Sequence, residues 1–505
     1  MNLKKKFDVI TQAGLRFQKN LCELGHKCTE DSKRLRVVLC AFAPLRESKL
    51  RETSFSQRRK GAKVAKAILR DERLRLNFVV FAVVAVSLSF ANACAEAPGK
   101  SSDVYMGSRP ASLAAGEPEP PRVYLDTTYT PPKGRSIVDF DGGQTSLSQI
   151  PHDLIVDRCY IHGNPSDTSR RGVALNSAST AVIDSYISEC HESGADSQAI
   201  AGWNGPGPFK IVNNYLEGAG ENFILGGADP SIKNLIPSDI EFRRNNVAKP
   251  VKWKVGDPSY AGIKWSVKNL LELKNAQRVL IESNVFEYNW AESQNGFAIL
   301  FTPRNQSGHS PWSVAQDVTF ANNTLRHSGS GFNIAGPDNE AGVSQPSRRI
   351  LIRNNLIEDI DGKAWEGDGR LFQIVGGAEY ITIDHNTGFA SGNILSTDST
   401  QGLNVGLVFT NNIVAHNAYG VLGTDTGIGL STLNRWWKSY VFKKNVIVGG
   451  KASNYPPDNY FISSFSEVGF VDMAKGDYRL SSSSSYQNAG ADGKNIGCSL
   501  NKTHR

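Results

Sequence analysis

The chain has 505 residues, of which 40% are hydrophobic and 21% are charged, so a largely disordered protein is excluded. Its net charge of +7 is unevenly distributed along the chain. Residues 1–76 contain 20 Lys and Arg and 8 Asp and Glu, so the rest of the chain carries a net charge of −5. The basic character therefore belongs to the front of the chain, and we expect the remainder to bind no nucleic acid.

Residues 77–95 carry the pattern of an export signal, in which arginines precede an apolar run with a small-residue exit at Ala95. The same run could anchor the protein in a membrane, but it is short for a span and contains serines. We favour a cleaved signal, which predicts a secreted, periplasmic or cell-surface protein with no stable membrane span in its mature form. Because a signal begins a protein, we interpret residues 1–76 as a mis-called upstream extension. The Pro-rich residues 96–135 predict a linker.

Three of the seven cysteines lie in the main body of the chain, at Cys159, Cys190 and Cys498. They form no CxxC pair and no Cys/His spacing that is typical of a zinc site. Cys159 and Cys190 could form a disulfide, or both could remain buried free thiols.

One short motif recurs along the main body: an apolar residue, two variable residues, Asn, one more residue and an apolar residue. Successive asparagines of this motif are 26 to 39 residues apart. They are Asn214, Asn245, Asn284, Asn323, Asn355, Asn386, Asn412 and Asn445. Cys159 and Ser185 hold the same slot in two earlier copies. Such a period suits one coil of a solenoid that contains about three short strands.

An asparagine in every coil has a physical explanation. Asn tolerates the left-handed backbone of a sharp bend, and its buried amide can bond to the equivalent amide one coil away. This asparagine ladder resembles that of the pectate-lyase-like superfamily. The resemblance implies an all-β, single-stranded right-handed parallel β-helix solenoid of about ten coils over residues 136–450, followed by a closing segment at 451–505. It implies little about activity, because the superfamily includes lyases, hydrolases, epimerases, phage tailspikes and adhesins.

Loops on one flank of the predicted helix are candidates for a binding site. Insertions at 226–237, 302–313 and 335–347 follow the same strand of different coils, so we expect them to stack into one wall. A further insertion, Lys249–Lys268, precedes that strand, and its aromatic and basic residues could contact a glycan or form a packed lid. The residues that we predict to bind substrate are Trp203, Lys252, Trp253, Lys254, Trp265 and His327.

The segment Leu271-Glu272-Leu273-Lys274 alternates, so inward leucines would turn Glu272 and Lys274 outward. With Arg304 one coil later, this arrangement is similar to that of the chondroitinase B and alginate lyase family. The resemblance implies Lys274 as the catalytic base, Arg304 as the acid or charge stabiliser, and Glu272 as a ligand of a Ca²⁺ cofactor. The alternative is that these cations form surface ion pairs.

These patterns lead to two hypotheses. The first is an exported carbohydrate-active protein, a polysaccharide lyase that cleaves an anionic, uronate-containing glycan by β-elimination. The second is a non-catalytic glycan-binding or adhesive surface β-helix. Both name a polysaccharide as the partner, and the sequence leaves open whether the protein is an enzyme.

Overall fold

A computed structural model of the protein describes residues 134–140, 142–398 and 401–500. The basic extension and the export signal predicted before residue 96 lie outside these ranges, as does all but the end of the predicted linker, and these assignments stay predictions. Among the residues that the structure describes, no helix is long and apolar enough to span a bilayer.

Almost every strand belongs to one of three long parallel sheets, which we call sheets A, B and C. Sheet A contains β1 (Gly134–Asp139), β4 (Ser169–Ala174), β7 (Gln198–Gly202), β10 (Glu221–Leu225), β13 (Asn269–Leu273), β16 (Phe297–Phe301), β19 (Ser330–Ala335), β22 (Phe372–Val375), β25 (Leu395–Thr397) and β28 (Val421–Gly423). Sheet B contains β2 (His152–Asp157), β5 (Ala178–Ile183), β8 (Gly207–Val212), β11 (Ser238–Arg243), β14 (Ala276–Glu282), β17 (Ala315–Ala321), β20 (Arg348–Arg353), β23 (Glu379–Asp384), β26 (Leu407–Thr410) and β29 (Tyr440–Lys443). Sheet C contains β3 (Tyr160–His162), β6 (Tyr186–Cys190), β9 (Tyr215–Gly218), β12 (Asn246–Ala248), β15 (Val285–Asn289), β18 (Thr324–Ser328), β21 (Leu356–Ile360), β24 (Thr387–Ala390), β27 (Ile413–Ala415), β30 (Val446–Val448) and β31 (Tyr460–Ile462).

The remaining elements are short. An antiparallel pair, β32 (Phe470–Asp472) and β33 (Asp477–Leu480), lies near the end of the chain. The one α-helix within the described residues, α1 (Leu430–Trp436), follows β28. Single turns of 3-10 helix occur at Leu147–Gln149, Val251–Trp253, Ala452–Asn454, Phe465–Glu467 and Met473–Lys475.

Each coil contributes one strand to each sheet, in the order A, B, C, and every strand pairs in parallel with its equivalents in the coils before and after. Ten coils contain all three strands, and β31 adds an eleventh strand to sheet C alone. The protein is thus an all-β, right-handed parallel β-helix, which confirms the predicted fold and the predicted number of coils.

The interior is a continuous apolar core that runs along the axis. Eight phenylalanines form an unbroken chain of ring contacts, with neighbouring centroids 4.8 to 6.2 Å apart. They are Phe223, Phe242, Phe286, Phe320, Phe332, Phe372, Phe409 and Phe442. Burying one side chain of this size contributes about 1.5–3 kcal/mol, so stacking of coils is the main source of stability.

The asparagine ladder is present in the turn between sheets B and C. The side-chain Nδ2 of each motif asparagine donates to the Oδ1 of the next one, over distances of 2.8 to 3.2 Å. Ser185 and Cys159 extend the row through backbone N–H bonds, as their place in the motif predicts. Asn459 adds a last rung that the sequence period missed, because it follows Asn445 by only 14 residues.

The left-handed residue of each turn differs from our prediction. It is the residue before the ladder position that has a positive φ, between 50° and 59°, and no ladder asparagine does. These residues are Arg158, Asp184, Asn213, Arg244, Ser283, Asn322, Asn354, His385, Asn411 and Lys444. The prediction that the ladder asparagine itself tolerates the bend was therefore wrong. The preceding residue makes the bend, and this turns the amide of the asparagine into the interior.

Cys159, Cys190 and Cys498 are free thiols, so Cys159 and Cys190 form no disulfide, although Cys159 is half-buried and only Cys190 is buried. Burial and the nearby carboxylates of Glu217 and Glu189 raise the pKa of the Cys190 thiol, which is consistent with an unreactive core residue.

Candidate functional site

Two of the three long loops meet directly on one flank, which we call the wall. The turn from β13 to β14 contains only Lys274 and Asn275. The loops 226–237 and 302–313, which belong to the coils before and after it, therefore meet across this short turn. The Asp229 carboxylate of the first loop accepts backbone N–H bonds from the second, including that of His309 at 2.9 Å. The third loop, 335–347, joins the wall through Asn305, whose side chain donates to the carbonyl of Val343 at 3.4 Å. The stacking predicted from the sequence is confirmed.

Lys274 and Arg304 are brought together beside this wall. The backbone N–H of Arg304 donates to the carbonyl of Lys274 over 3.0 Å, so the two residues lie side by side on neighbouring coils. Leu271 and Leu273 point into the core, as the alternation predicts. The side chain of Lys274 is 13% exposed and its Nζ lies 3.6 Å from Glu272 Oε1. Arg304 contacts two carboxylates of the third loop, those of Asp338 and Glu340.

Glu272 is buried on the outer face of sheet A. Its two carboxylate oxygens accept hydrogen bonds from Thr302 Oγ1 at 2.9 Å and from Asn269 Nδ2 at 3.1 Å. Thr302 and Asn269 turn donor groups toward Glu272, and the Lys274 ammonium beside it would repel a bound Ca²⁺ ion. Within the described ranges, no three or more His, Cys, Asp or Glu residues are grouped so that they could hold a metal ion. The Ca²⁺ cofactor stays a prediction, and no catalytic step is derived from it.

A second carboxylate on this face, Glu221, was missed in the sequence. It aligns with Asn269 of the next coil, and its Oε2 accepts a bond from Gln198 Nε2 at 2.8 Å. Burial, and then the charge of Glu272, raise the pKa of Glu221 to about 7, although the nearby Lys268 ammonium opposes this shift. The sequence could have indicated Glu221 only through its alignment with Asn269 in the next coil. That alignment requires the exact register between the two strands, which the motif spacing does not give.

The insertion Lys249–Lys268, which we call the strap, crosses the corner between sheets C and A. Four of its lysines form ion pairs with carboxylates of the β-helix at distances of 2.5 to 3.0 Å. The pairs are Lys252 with Glu189, Lys254 with Glu366, Lys264 with Glu292, and Lys268 with Asp196. In this conformation Lys252 and Lys254, which we predicted to bind substrate, are paired with carboxylates of the chain itself.

The two tryptophans of the strap are packed under it. Trp253 is 2% exposed and Trp265 is 5% exposed, and both lie in a cluster with Trp290. The imidazole of His191 stacks on Trp265 with ring centroids 3.8 Å apart. Either ring could stack on a sugar only if the strap moved away, so the geometry favours the packed lid over a binding role for these two residues.

Trp203 and His327 lie on different flanks of the β-helix. Trp203 directly follows β7, at the same edge of sheet A as the wall and two coils before Lys274. The Arg171 guanidinium lies 5.1 Å from its ring centroid. His327 lies on β18 of sheet C, pairs with Asp359 at 2.7 Å and stacks on Tyr288. His327 therefore does not line the wall, and its predicted contact with substrate would need a glycan that also reaches sheet C.

No family model and no curated protein matches this sequence. Among solved structures, the chain is similar to the pectate lyase Pel9A, with 14% identity, a TM-score of 0.44 and coverage of 72% of this chain and 96% of that one. It is also similar to the tailspike protein of E. coli bacteriophage HK620 in complex with pentasaccharide, with 12% identity, a TM-score of 0.38 and coverage of 60% and 48%. The Dettilon tailspike protein matches with 11% identity, a TM-score of 0.32 and coverage of 62% and 61%. These similarities are too distant to indicate an activity, and the fold rests on the three sheets and the ladder.

Proposed function

We propose that the protein acts on a polysaccharide, as a lyase that cleaves a uronate-containing glycan by β-elimination. The observation that carries this proposal is the position of Lys274 and Arg304. They lie side by side on neighbouring coils at one edge of sheet A, where Arg304 is itself part of the wall of stacked loops. Lyase chemistry needs a base and a fixed positive charge at such short range.

The reaction begins at the ring carbon that bears the carboxylate. Lys274, as the neutral amine, removes the proton from this carbon, and the Arg304 guanidinium stabilises the negative charge that spreads onto the carboxylate. The electron pair then forms a carbon–carbon double bond while the bond to the glycosidic oxygen breaks. The proton held by Lys274 passes to the departing oxygen, so the reaction consumes no water and needs no oxidant.

A non-catalytic glycan-binding protein is the second candidate. It is favoured by the ion pairs that already engage both cations, Lys274 with Glu272 and Arg304 with Asp338. An ammonium that pairs with a carboxylate already holds its full set of protons, so it can act as a base only after it loses one. The two candidates share a ligand and differ in whether a new product forms.

Product formation tests the lyase. The purified protein is incubated with alginate, polygalacturonate, chondroitin sulfate and hyaluronan, and the ultraviolet absorbance of unsaturated uronate ends is followed. We expect Lys274→Ala and Arg304→Ala each to lower the rate by about a hundredfold or more. Arg278→Ala is the matched control, because Arg278 pairs with Asp239 on the exposed face of sheet B.

Two results would argue against this assignment. Undiminished activity in Lys274→Ala and Arg304→Ala would remove both residues from catalysis. Retention of the protein by one of these glycans without any unsaturated product would favour the binding protein. We also propose that the protein is exported, which rests on residues 77–95 and is tested by N-terminal sequencing of the secreted form.

A further inference from the structure

A cavity lies in the wall where the loops 226–237 and 302–313 meet. Its volume is about 450 Å³, which is within the range of small-ligand sites. It is lined by Asp229, Pro230, Ser231, Lys233, His309 and Trp312. One aromatic ring and several polar groups therefore line one small space. None of these groups has a role in the proposed elimination reaction.

Trp312 is held in place but only half-buried. Its indole N–H donates to the carbonyl of Leu235 over 3.0 Å, so the polar tip of the side chain is satisfied and the ring is fixed. The same carbonyl accepts a bond from Asn275 Nδ2 at 3.1 Å, and Asn275 is the neighbour of Lys274. The ring is thus tied to the turn that holds the proposed base.

Asp229 supplies a fixed acceptor in this cavity. Its carboxylate accepts bonds from the backbone N–H groups of Ser307 and His309 and from Ser310 Oγ at 2.5 Å. Burial acts to raise the pKa of Asp229, but these hydrogen bonds outweigh it and the pKa lies below its ordinary value. Asp229 is therefore ionised at neutral pH, while Lys233 and the largely exposed His309 supply donors at the rim.

We propose that this cavity is a carbohydrate subsite that holds one pyranose residue of a glycan, with its apolar face on Trp312 and its hydroxyl groups toward Asp229 and Lys233. A pyranose has an apolar face ringed by hydroxyl groups, which this combination of a fixed ring, an acceptor and donors matches. The subsite would keep the glycan chain beside the Lys274 turn. This inference rests on the proposed function in taking the ligand to be a glycan.

The test separates binding from cleavage. All variants are made in the Lys274→Ala background, so that the glycan stays intact, and are run through native gels that contain alginate, polygalacturonate, chondroitin sulfate, xylan or glucomannan. We expect Trp312→Ala to weaken binding about tenfold or more in each gel that retards the Lys274→Ala protein, whereas Trp312→Phe, which keeps a ring, retains most of the affinity. Trp436→Ala is the matched control, because Trp436 is also half-buried and donates its indole N–H to a backbone carbonyl.

Circular dichroism and the melting temperature establish that each variant is folded. Equal retardation of Trp312→Ala and its background, or no retardation in any gel, would overturn the subsite. If the gels show binding that depends on Trp312 while the protein with native Lys274 forms no unsaturated product, the subsite stands and the lyase fails.

Discussion

Lys249 shows how a single residue can be misjudged from sequence. It begins a strap rich in lysines, yet its side chain is fully buried and its Nζ donates to the carbonyl oxygens of Gly218, Ala219 and Gly220 over 2.6 to 3.0 Å. A fourth acceptor is Asn222 Oδ1 at 2.9 Å. The Lys249 side chain therefore ties together a buried bend of the main chain, in which Ala219 and Gly220 also accept backbone N–H bonds from Lys268 and Asn269.

We predict that Lys249→Met destabilises the fold by about 3 kcal/mol, because four buried acceptors lose their common donor. Urea unfolding measures the difference in the free energy of unfolding. Lys264→Met is the control, since Lys264 is 66% exposed and makes one ion pair, so its loss should cost less than about 1 kcal/mol. Equal losses in the two variants would contradict the structural role of Lys249.

Glu217 provides a prediction about pH. Its oxygens accept bonds from the backbone N–H of Glu189 and from Tyr215 O–H. Burial, and then the charge of Glu189, raise the pKa of Glu217 to about 7. An acid with a raised pKa in the folded state stabilises the fold below its unfolded pKa, and this stabilisation is lost as the pH rises through about 7.

The Glu217→Gln variant imitates the protonated side chain at every pH. We therefore expect it to match the native protein in stability near pH 4.5 or below, and to exceed it by about 2 to 3 kcal/mol at about pH 8. Urea unfolding over this range measures the difference. A difference between the two proteins that does not change with pH would show that Glu217 does not take up a proton in this range.

At the scale of an element, each ladder asparagine uses its whole side-chain amide. Asn323, for example, donates through Nδ2 to Asn355 and to the carbonyl of Ile281, while its Oδ1 accepts from both the side chain and the backbone N–H of Asn284. Asn459, at the end of the row, also accepts two bonds from Asn445, but its Nδ2 donates to the carbonyls of Phe442 and Pro456 and not to a further rung. The ladder should therefore be most sensitive in its middle.

We predict that Asn323→Ala lowers the free energy of unfolding by about 3 kcal/mol, because it leaves buried donors and acceptors unpaired in two neighbouring coils. Asn459→Ala should cost about 1 kcal/mol, since Asn459 is only half-buried and has one neighbouring rung. Denaturant unfolding of both variants compares the two costs. A larger cost at Asn459 than at Asn323 would speak against cooperative stacking of amides.

The elements that were predictable are those that repeat. The ladder and the wall follow from spacing alone, because equivalent positions of successive coils must lie above one another. The partners of the strap were not predictable, since Lys252 and Lys254 pair with Glu189 and Glu366, which are 63 and 112 residues away. Trp253 and Trp265 could equally have been exposed, and only the path of the strap decides that they are buried.

At the scale of the molecule, the closing segment covers an apolar part of sheet C that is separate from the axial core. After the last complete coil the chain folds back along sheet C, where Val468, Tyr486 and Ile496 pack against Ile413 and Val446. Polar contacts also fix this segment to earlier coils. They include Tyr478 O–H to Glu358, the Cys498 N–H to Thr387, and the Ser499 N–H to Asn354.

Truncation after Ser463 should therefore separate stability from binding. Loss of the closing segment uncovers Ile413 and Val446, and we expect the free energy of unfolding to fall by about 3 to 5 kcal/mol, with new binding of a hydrophobic dye. The wall follows sheet A of the fourth, sixth and seventh coils, whereas the closing segment packs on sheet C, so retardation by glycan gels should persist at temperatures where the shortened protein is folded. Loss of binding in a folded truncated protein would mean that the closing segment, and not the wall, contacts the glycan.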